Sequence, residues 1–203
     1  RIAIVNYNGG EFLRRSLAAA LAQDFDDFDL IVIDNGSTDD SLESLPRDPR
    51  LAVRRMDSNL GFAAGNNRAA ADAGGEFLAT LNPDAFPEPG WLGALIDAAE
   101  RHPDAAMFGS TQLQDRDPST LDGAGVSYLA FGLPWRGGHG RPRRELPEEG
   151  EAFSPCAAAA LYRLKDFRAA GGFDERFFCY CEDVDLAFRL RLTGRRCIQV
   201  KGA

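Results

Sequence analysis

The 203-residue sequence holds no candidate membrane span, since no run approaches the roughly 18 consecutive apolar residues that a spanning helix needs. Its first residues also lack the positively charged region and apolar core of a secretory signal, so the chain reads as soluble. Positive charge is in deficit: 23 Lys and Arg stand against 31 Asp and Glu, a net charge of −8 that repels phosphate backbones and excludes nucleic acid as a partner. The four cysteines, Cys156, Cys179, Cys181 and Cys197, form no Cys-x-x-Cys pair, which removes the usual zinc frameworks. Cys179 and Cys181 flank Tyr180 at strand spacing and read as packed, reduced thiols of a cytoplasmic protein. Only two histidines occur, His102 and His139. Asn8-Gly-Gly-Glu after the first apolar run is no Gly-x-Gly-x-x-Gly, which argues against a dinucleotide-dependent oxidoreductase. A nucleotidyltransferase would carry a Gly-rich phosphate loop with a basic residue near the N-terminus, and that too is missing.

What is present is an ordinary globular composition, 44% hydrophobic and 27% charged, enough for the core of one α/β domain. Strand and helix signals alternate through the first half. A strand at Ile2 to Asn6 precedes a helix carrying Leu13, Leu17, Ala20 and Leu21. A strand at Leu30 to Asp34 precedes a short helix capped by Ser37 or Thr38 and running towards Leu45. A strand at Leu51 to Met56 precedes an Ala-rich helix over 63–73, and a fourth strand follows at Glu76 to Leu81. Three crossovers predict a mostly parallel, twisted sheet flanked by helices. Ligands of such sheets bind at the carboxyl ends of the strands, where Asp34 and the Asn82-Pro-Asp84 turn fall.

After a helix at Trp91 to Ala99 and a strand at Ala105 to Phe108, periodicity fades. Gln112 to Gly150 reads as a long loop or irregular insertion. Within it, Trp135-Arg-Gly-Gly-His-Gly-Arg-Pro-Arg-Arg144 is basic; it closes over a diphosphate, receives a phosphorylated lipid acceptor, or is a solvated, mobile loop. The solvated reading is preferred because Glu145, Glu148, Glu149 and Glu151 follow at once and offset the charge. Order returns with a strand at Ala157 to Tyr162, a helical turn at Lys165 to Ala170, and a helix opening at Glu182-Asp-Val-Asp185.

Taken in order, Val5-Asn-Tyr-Asn8, Val32-Ile-Asp-Asn-Gly-Ser-Thr-Asp39, Asn82-Pro-Asp84, Gly171-Gly-Phe-Asp174 and Glu182-Asp-Val-Asp185 resemble family 2 glycosyltransferases, and among them the rhamnosyltransferase-type members. The likeness covers nearly the whole chain. It implies a single GT-A-type, Rossmann-like domain over residues 1–203, with a nucleotide-sugar-binding half at 1–110 and an acceptor and catalytic half at 111–203. It also implies an inverting, metal-dependent transfer of a hexosyl or deoxyhexosyl group from a UDP- or dTDP-sugar to a saccharide or lipid-linked acceptor, in cell-surface polysaccharide or glycolipid synthesis. The expected location is cytoplasmic, at the inner face of the membrane, with peripheral attachment through segments outside this sequence. A non-catalytic nucleotide-sugar or glycan-binding module on the same fold is the alternative.

Carried onto this sequence, the resemblance places Val5, Asn6 and Asp34 beside the nucleotide, while local chemistry alone equally lets Asp34 organise the Asn35-Gly36 turn. Asn59 and Gly61 join the donor side. Asn82 and Asp84 stand where the family has Asp-x-Asp, so Asp84 is the expected ligand of Mg²⁺ or Mn²⁺, cations that commonly use only one or two protein carboxylates. Asp183 is the expected base, with Glu182 orienting it or touching the acceptor; the opposing reading makes both acids favourable helix-start charges. Asp185 pairs with Arg189 at helical spacing and reads as structural. Gly171 and Gly172 either approach the ligand or cap a helix after Ala170. The family's His beyond the last strand has no counterpart before Ala203, and both ends read as trimmed, so the fragment is expected to bind donor better than it turns over.

Overall fold

Ile2–Asn6 (β1) and Leu30–Asp34 (β2) are buried at every position, as strands covered on both faces must be. The computed structural model describes all 203 residues. Leu51–Arg55 (β3) pairs in parallel with β2, and Phe77–Leu81 (β4) in parallel with β1. Ala105–Gly109 (β5), the later Ala159–Arg163 (β11) and Arg196–Gln199 (β12), and the edge strand Gly150–Ala152 (β10) complete an eight-stranded sheet of order β10-β12-β5-β11-β4-β1-β2-β3. Only β11, set antiparallel between β4 and β5, and β10 at the edge break the parallel run.

Helices cover both faces. Gly10–Leu21 (α1) and Trp91–Arg101 (α3) bury Leu13, Leu17, Leu92 and Leu95 against one face. Gly61–Ala71 (α2), Leu164–Ala169 (α4) and Glu182–Leu192 (α5) bury Ala63, Ala69, Phe167, Leu186 and Leu190 against the other. The second face is pinned by Tyr162, Phe167 and Phe173, whose rings meet edge to face with centroids 5.1–5.7 Å apart. Gly65 lets α2 close on the sheet: a Cβ there would come within 2.6 Å of the Val5 side chain.

Four expectations are corrected. The helix after Ser37 does not form; residues 39–44 are turns, because Ser37 Oγ donates to Asp34 and Ser41 bonds Asp39, local bonds that compete with helical ones. The segment from Gln112 is no loop. Thr111–Gln114 (β6) pairs with Asp117–Ala124 (β7), and Val126–Tyr128 (β8) with Pro134–Arg136 (β9), as antiparallel hairpins. These strands bury little, so alternation of polar and apolar residues, the signal of a strand, is absent from them. Cys179 and Cys181 do not pack in a strand; both are exposed in a loop where Phe178, Tyr180 and Cys181 adopt positive φ. The charge offset along 136–151 also fails: Glu148 pairs with Lys201, Glu149 with Arg101, and Glu151 with Arg191 and Arg196.

Candidate active site

At the carboxyl ends of β1 and β2 the Asp34 carboxylate is wholly buried and accepts hydrogen bonds from Asn6 Nδ2 (2.8 Å), Ser37 Oγ (2.6 Å) and the Ser37 backbone N–H (3.2 Å). Arg55 approaches it at 3.6 Å from the exposed side. This geometry realises the turn-organising role of Asp34. Val5 sends its side chain into the core against α2, while Asn6 Oδ1 and Asn35 Oδ1 are buried without a partner. Two orphaned acceptors beside one crevice would normally be satisfied by water or a ligand donor.

Asn59 Oδ1 accepts from the Gly61 backbone N–H at 2.9 Å and so opens α2, whose start is roofed by Phe178. Gly61 has φ +87°, and a Cβ on it would lie 2.5 Å from the Phe178 carbonyl, so only glycine fits beneath that roof. Asn67 accepts from Phe173 N–H and donates to Phe173 O, a structural clamp. Gly171 and Gly172 close the end of α4 through bonds to Arg168 O and Phe167 O, the capping arrangement. Asp185 pairs with Arg189 at 2.7 Å.

The segment Cys156–Ala158 joins the two acidic sites. Asn82 N–H donates to Ala158 O at 2.8 Å, fixing the turn that presents Asp84. On the next residue, Ala157 N–H donates to Asp183 Oδ2 at 2.9 Å, and Thr80 Oγ1 donates to Ala157 O at 2.7 Å. Asp183 Oδ1 accepts from Val184 N–H at 2.8 Å. Asp84 is exposed at the mouth of a cavity of about 600 Å³ that Asn82, Ala158, Gln112 and Arg136 also line.

Burial raises the pKa of half-buried Asp183 against the opposing pull of its two backbone donors and of Arg136. Glu182 is buried, its Oε2 has no partner, and desolvation with the neighbouring Asp183 pushes its pKa up to about 7. A carboxyl whose folded pKa is raised stabilises the fold fully below its unfolded value, and that contribution fades as pH rises through the folded value. Thermal melts are therefore expected to show stability falling between the ordinary Glu value of 4.5 and about pH 7. Glu182→Gln, which cannot ionise, should flatten that slope; an unchanged slope would place the titration elsewhere.

Arg136, hidden in the basic segment at the sequence level, reaches Asp122 (2.9 Å), Gln112 (2.9 Å) and the Cys156 thiol (3.5 Å). Sequence reasoning missed it, together with Gln112 and the Cys156–Ala158 bridge. No pattern in the sequence couples these positions, because their proximity arises from the hairpins.

A family model described as Glycosyl transferase family 2 matches residues 1–170. The chain belongs to glycosyltransferase family 2. The matched span of this family 2 chain includes Asp34 and Asp84 and ends before Glu182. A Mycobacterium tuberculosis protein named N-acetylglucosaminyl-diphospho-decaprenol L-rhamnosyltransferase is 31% identical and covers 100% of the chain and 73% of itself. The O-antigen biosynthesis protein RfbC of Myxococcus xanthus is 32% identical over 93% of the chain and 16% of its own length. Among solved structures, a Pyrobaculum calidifontis mannosyltransferase in complex with GDP-Man and Mn²⁺ matches with a TM-score of 0.71 at 17% identity, over 97% of the chain and 52% of that protein. GalNAc-T7 with UDP, GalNAc and Mn²⁺ matches with a TM-score of 0.78 at 14% identity, over 98% and 42%. The family 2 chain thus has the GT-A fold and spans about half the length of these solved structures.

Proposed function

We propose that this chain is the donor-binding and catalytic domain of an inverting glycosyltransferase that moves a sugar from a UDP- or dTDP-sugar to an acceptor hydroxyl in cell-surface polysaccharide or glycolipid synthesis. The observation that carries this reading is the Cys156–Ala158 bridge, which holds Asp183 on one residue and the Asn82–Asp84 turn on the next. Residues 1–110 would serve the donor and residues 111–203 the acceptor and the base.

Asp183 is suited to remove the acceptor proton. Each of its oxygens accepts one backbone N–H and keeps a further lone pair for a hydroxyl. Burial raises its proton affinity, against the pull of its backbone donors and of Arg136, and so strengthens it as a base. Glu182 would set the charge beneath it.

Mg²⁺ or Mn²⁺ fits Asp84, an exposed carboxylate that accepts no hydrogen bond from the protein. No cluster of three His, Cys, Asp or Glu side chains is present to enclose a metal, so such a cation would be held chiefly by donor phosphates and water, with Asp84 as its protein anchor. When bound, it would neutralise charge on the leaving diphosphate. No helix is long and apolar enough to cross a membrane. Action close to a lipid-linked acceptor belongs to this proposal and is supported by the decaprenol-linked substrate for which the mycobacterial relative is named; a cytoplasmic location is proposed with it.

Calorimetric titration with UDP, dTDP and GDP, each with and without Mn²⁺, tests the donor site. One nucleotide should bind in a metal-dependent way, and Asp84→Ala, a surface change, should weaken it at least about tenfold, the loss expected for one charge-assisted contact. Absence of binding by any nucleotide would sink the reading.

A further inference from the structure

We infer that Thr80 positions the base of the reaction: its hydroxyl fixes the tight turn at Cys156–Ala159, from which Asp183 is held. Thr80 acts through Asp183 as a positioning residue, and the inference rests on the proposed transferase with Asp183 as its base.

On β4, Leu78 belongs to the apolar layer that Leu186 and Leu190 of α5 complete. Alternate strand residues share a face, so Thr80 points towards the same helix. It is wholly buried. A hydroxyl in such a place costs free energy unless it is bonded, and valine would fill the same shape without that cost. The Thr80 hydroxyl makes one hydrogen bond: Oγ1 donates to Ala157 O at 2.7 Å. Ala159 N–H donates to Cys156 O at 3.2 Å and closes a turn with Ala157 and Ala158 at its corners. Ala157 is thus tied on both sides, its carbonyl to Thr80 and its N–H to Asp183 Oδ2 at 2.9 Å. Asn82, two residues after Thr80 on the same strand end, ties the other corner through Ala158 O at 2.8 Å.

Without the Thr80 bond the Ala157 carbonyl is free to turn, and the N–H of the same residue drifts from Asp183. The tie at Ala158 holds the next carbonyl and does not replace it. Misplacing a catalytic group by about 1 Å can cost about 10²-fold in rate. Ionisable groups stand around Asp183 on every side: Glu182 on its own helix, Cys156 in the turn, Arg136 on β9, Tyr162 on β11, Cys197 on β12, and Cys179 and Cys181 in the loop before α5. Thr80→Val alters none of these charges. A change in the titration of Asp183 in that variant therefore reports on the Ala157 bond.

The test follows the Ala157 amide by NMR through a pH titration of the isotope-labelled chain, unaltered and as Thr80→Val, Thr80→Ser and Asp183→Asn. In the unaltered chain this signal should track the ionisation of Asp183, and in Asp183→Asn it should lose that response. In Thr80→Val the midpoint should rise, because a carboxylate less firmly bonded takes its proton more readily. The Ala157 amide should also exchange with solvent deuterium at least about tenfold faster, the loss of roughly one hydrogen bond. Thr80→Ser should restore both, and the amides of Ala79 on β4 and Leu161 on β11 should keep their protection throughout. Transfer from UDP-glucose or dTDP-rhamnose to water, with the donor whose nucleotide binds, should fall at least about tenfold in Thr80→Val while KM stays within about twofold. An unmoved midpoint in Thr80→Val, no restoration by serine, or an Ala157 amide that ignores Asp183 in the unaltered chain would overturn the inference. Equal loosening of all three amides would also overturn it, by making Thr80 a support of the sheet alone. Should Thr80→Val unfold in a thermal melt, Thr80→Ala takes its place. Failure of the donor reading is separate: it would show as no nucleotide binding by the unaltered chain, whatever the Ala157 amide does.

Discussion

Asp183→Asn is expected to lower turnover by about 10²–10⁴-fold, the usual contribution of a positioned base, while nucleotide affinity stays within about twofold. Asparagine is close to isosteric, and its carbonyl oxygen can still accept the Ala157 N–H bond, so the Cys156–Ala158 bridge survives. What is removed is the second acceptor oxygen, with its bond from the Val184 N–H, and the ability to take a proton. The measurement is single-turnover transfer alongside nucleotide titration. Full activity would show that another group accepts the proton; loss of nucleotide binding would make Asp183 a structural support for the donor turn. A module that only binds nucleotide sugars would show no transfer before or after the change, which separates it from the enzyme.

Phe173→Ala is expected to destabilise the fold by about 3–5 kcal/mol, the range for deleting a buried aromatic ring. Phe173 is 1% exposed, and its ring meets Tyr162, Phe167 and Phe62. Denaturant unfolding should show a lower midpoint with an unchanged slope. The change also reaches function: Asn67 clamps the backbone of Phe173, and the chain from there runs directly to the Phe178 roof over Gly61 and to Glu182. A loss below about 1 kcal/mol would mean the pocket collapses around the gap, since the cost depends on how well the site can relax.

The sites differ in how far they could be read from sequence, and for physical reasons. Asp34 and Asp84 were legible because an acid at the end of an apolar strand in a parallel sheet must emerge at the carboxyl edge. The Asp185 and Arg189 pair was legible because helical spacing alone brings such residues together. Asp183 was legible as a candidate through the resemblance, but one of its two backbone donors, Ala157, comes from 26 residues away. Arg136 was invisible because its partners, Gln112 and Cys156, lie 24 and 20 residues away, and register in two weakly patterned hairpins decides that they meet. The pairing of Glu148, Glu149 and Glu151 was not legible either, because the fold sends them to Lys201, Arg101, Arg191 and Arg196 rather than to the arginines beside them in sequence.

By itself, then, the sequence determined the alternation of strands and helices, the parallel half of the sheet and the edge at which the acids gather, all consequences of local periodicity. Only the tertiary structure decided what surrounds them. The antiparallel insertion of β11, the hairpins that deliver Arg136, the burial that raises the pKa of Glu182, and the bridge between Asp183 and the Asp84 turn are long-range contacts. Their energies depend on which surfaces remain to be covered once the local elements have formed.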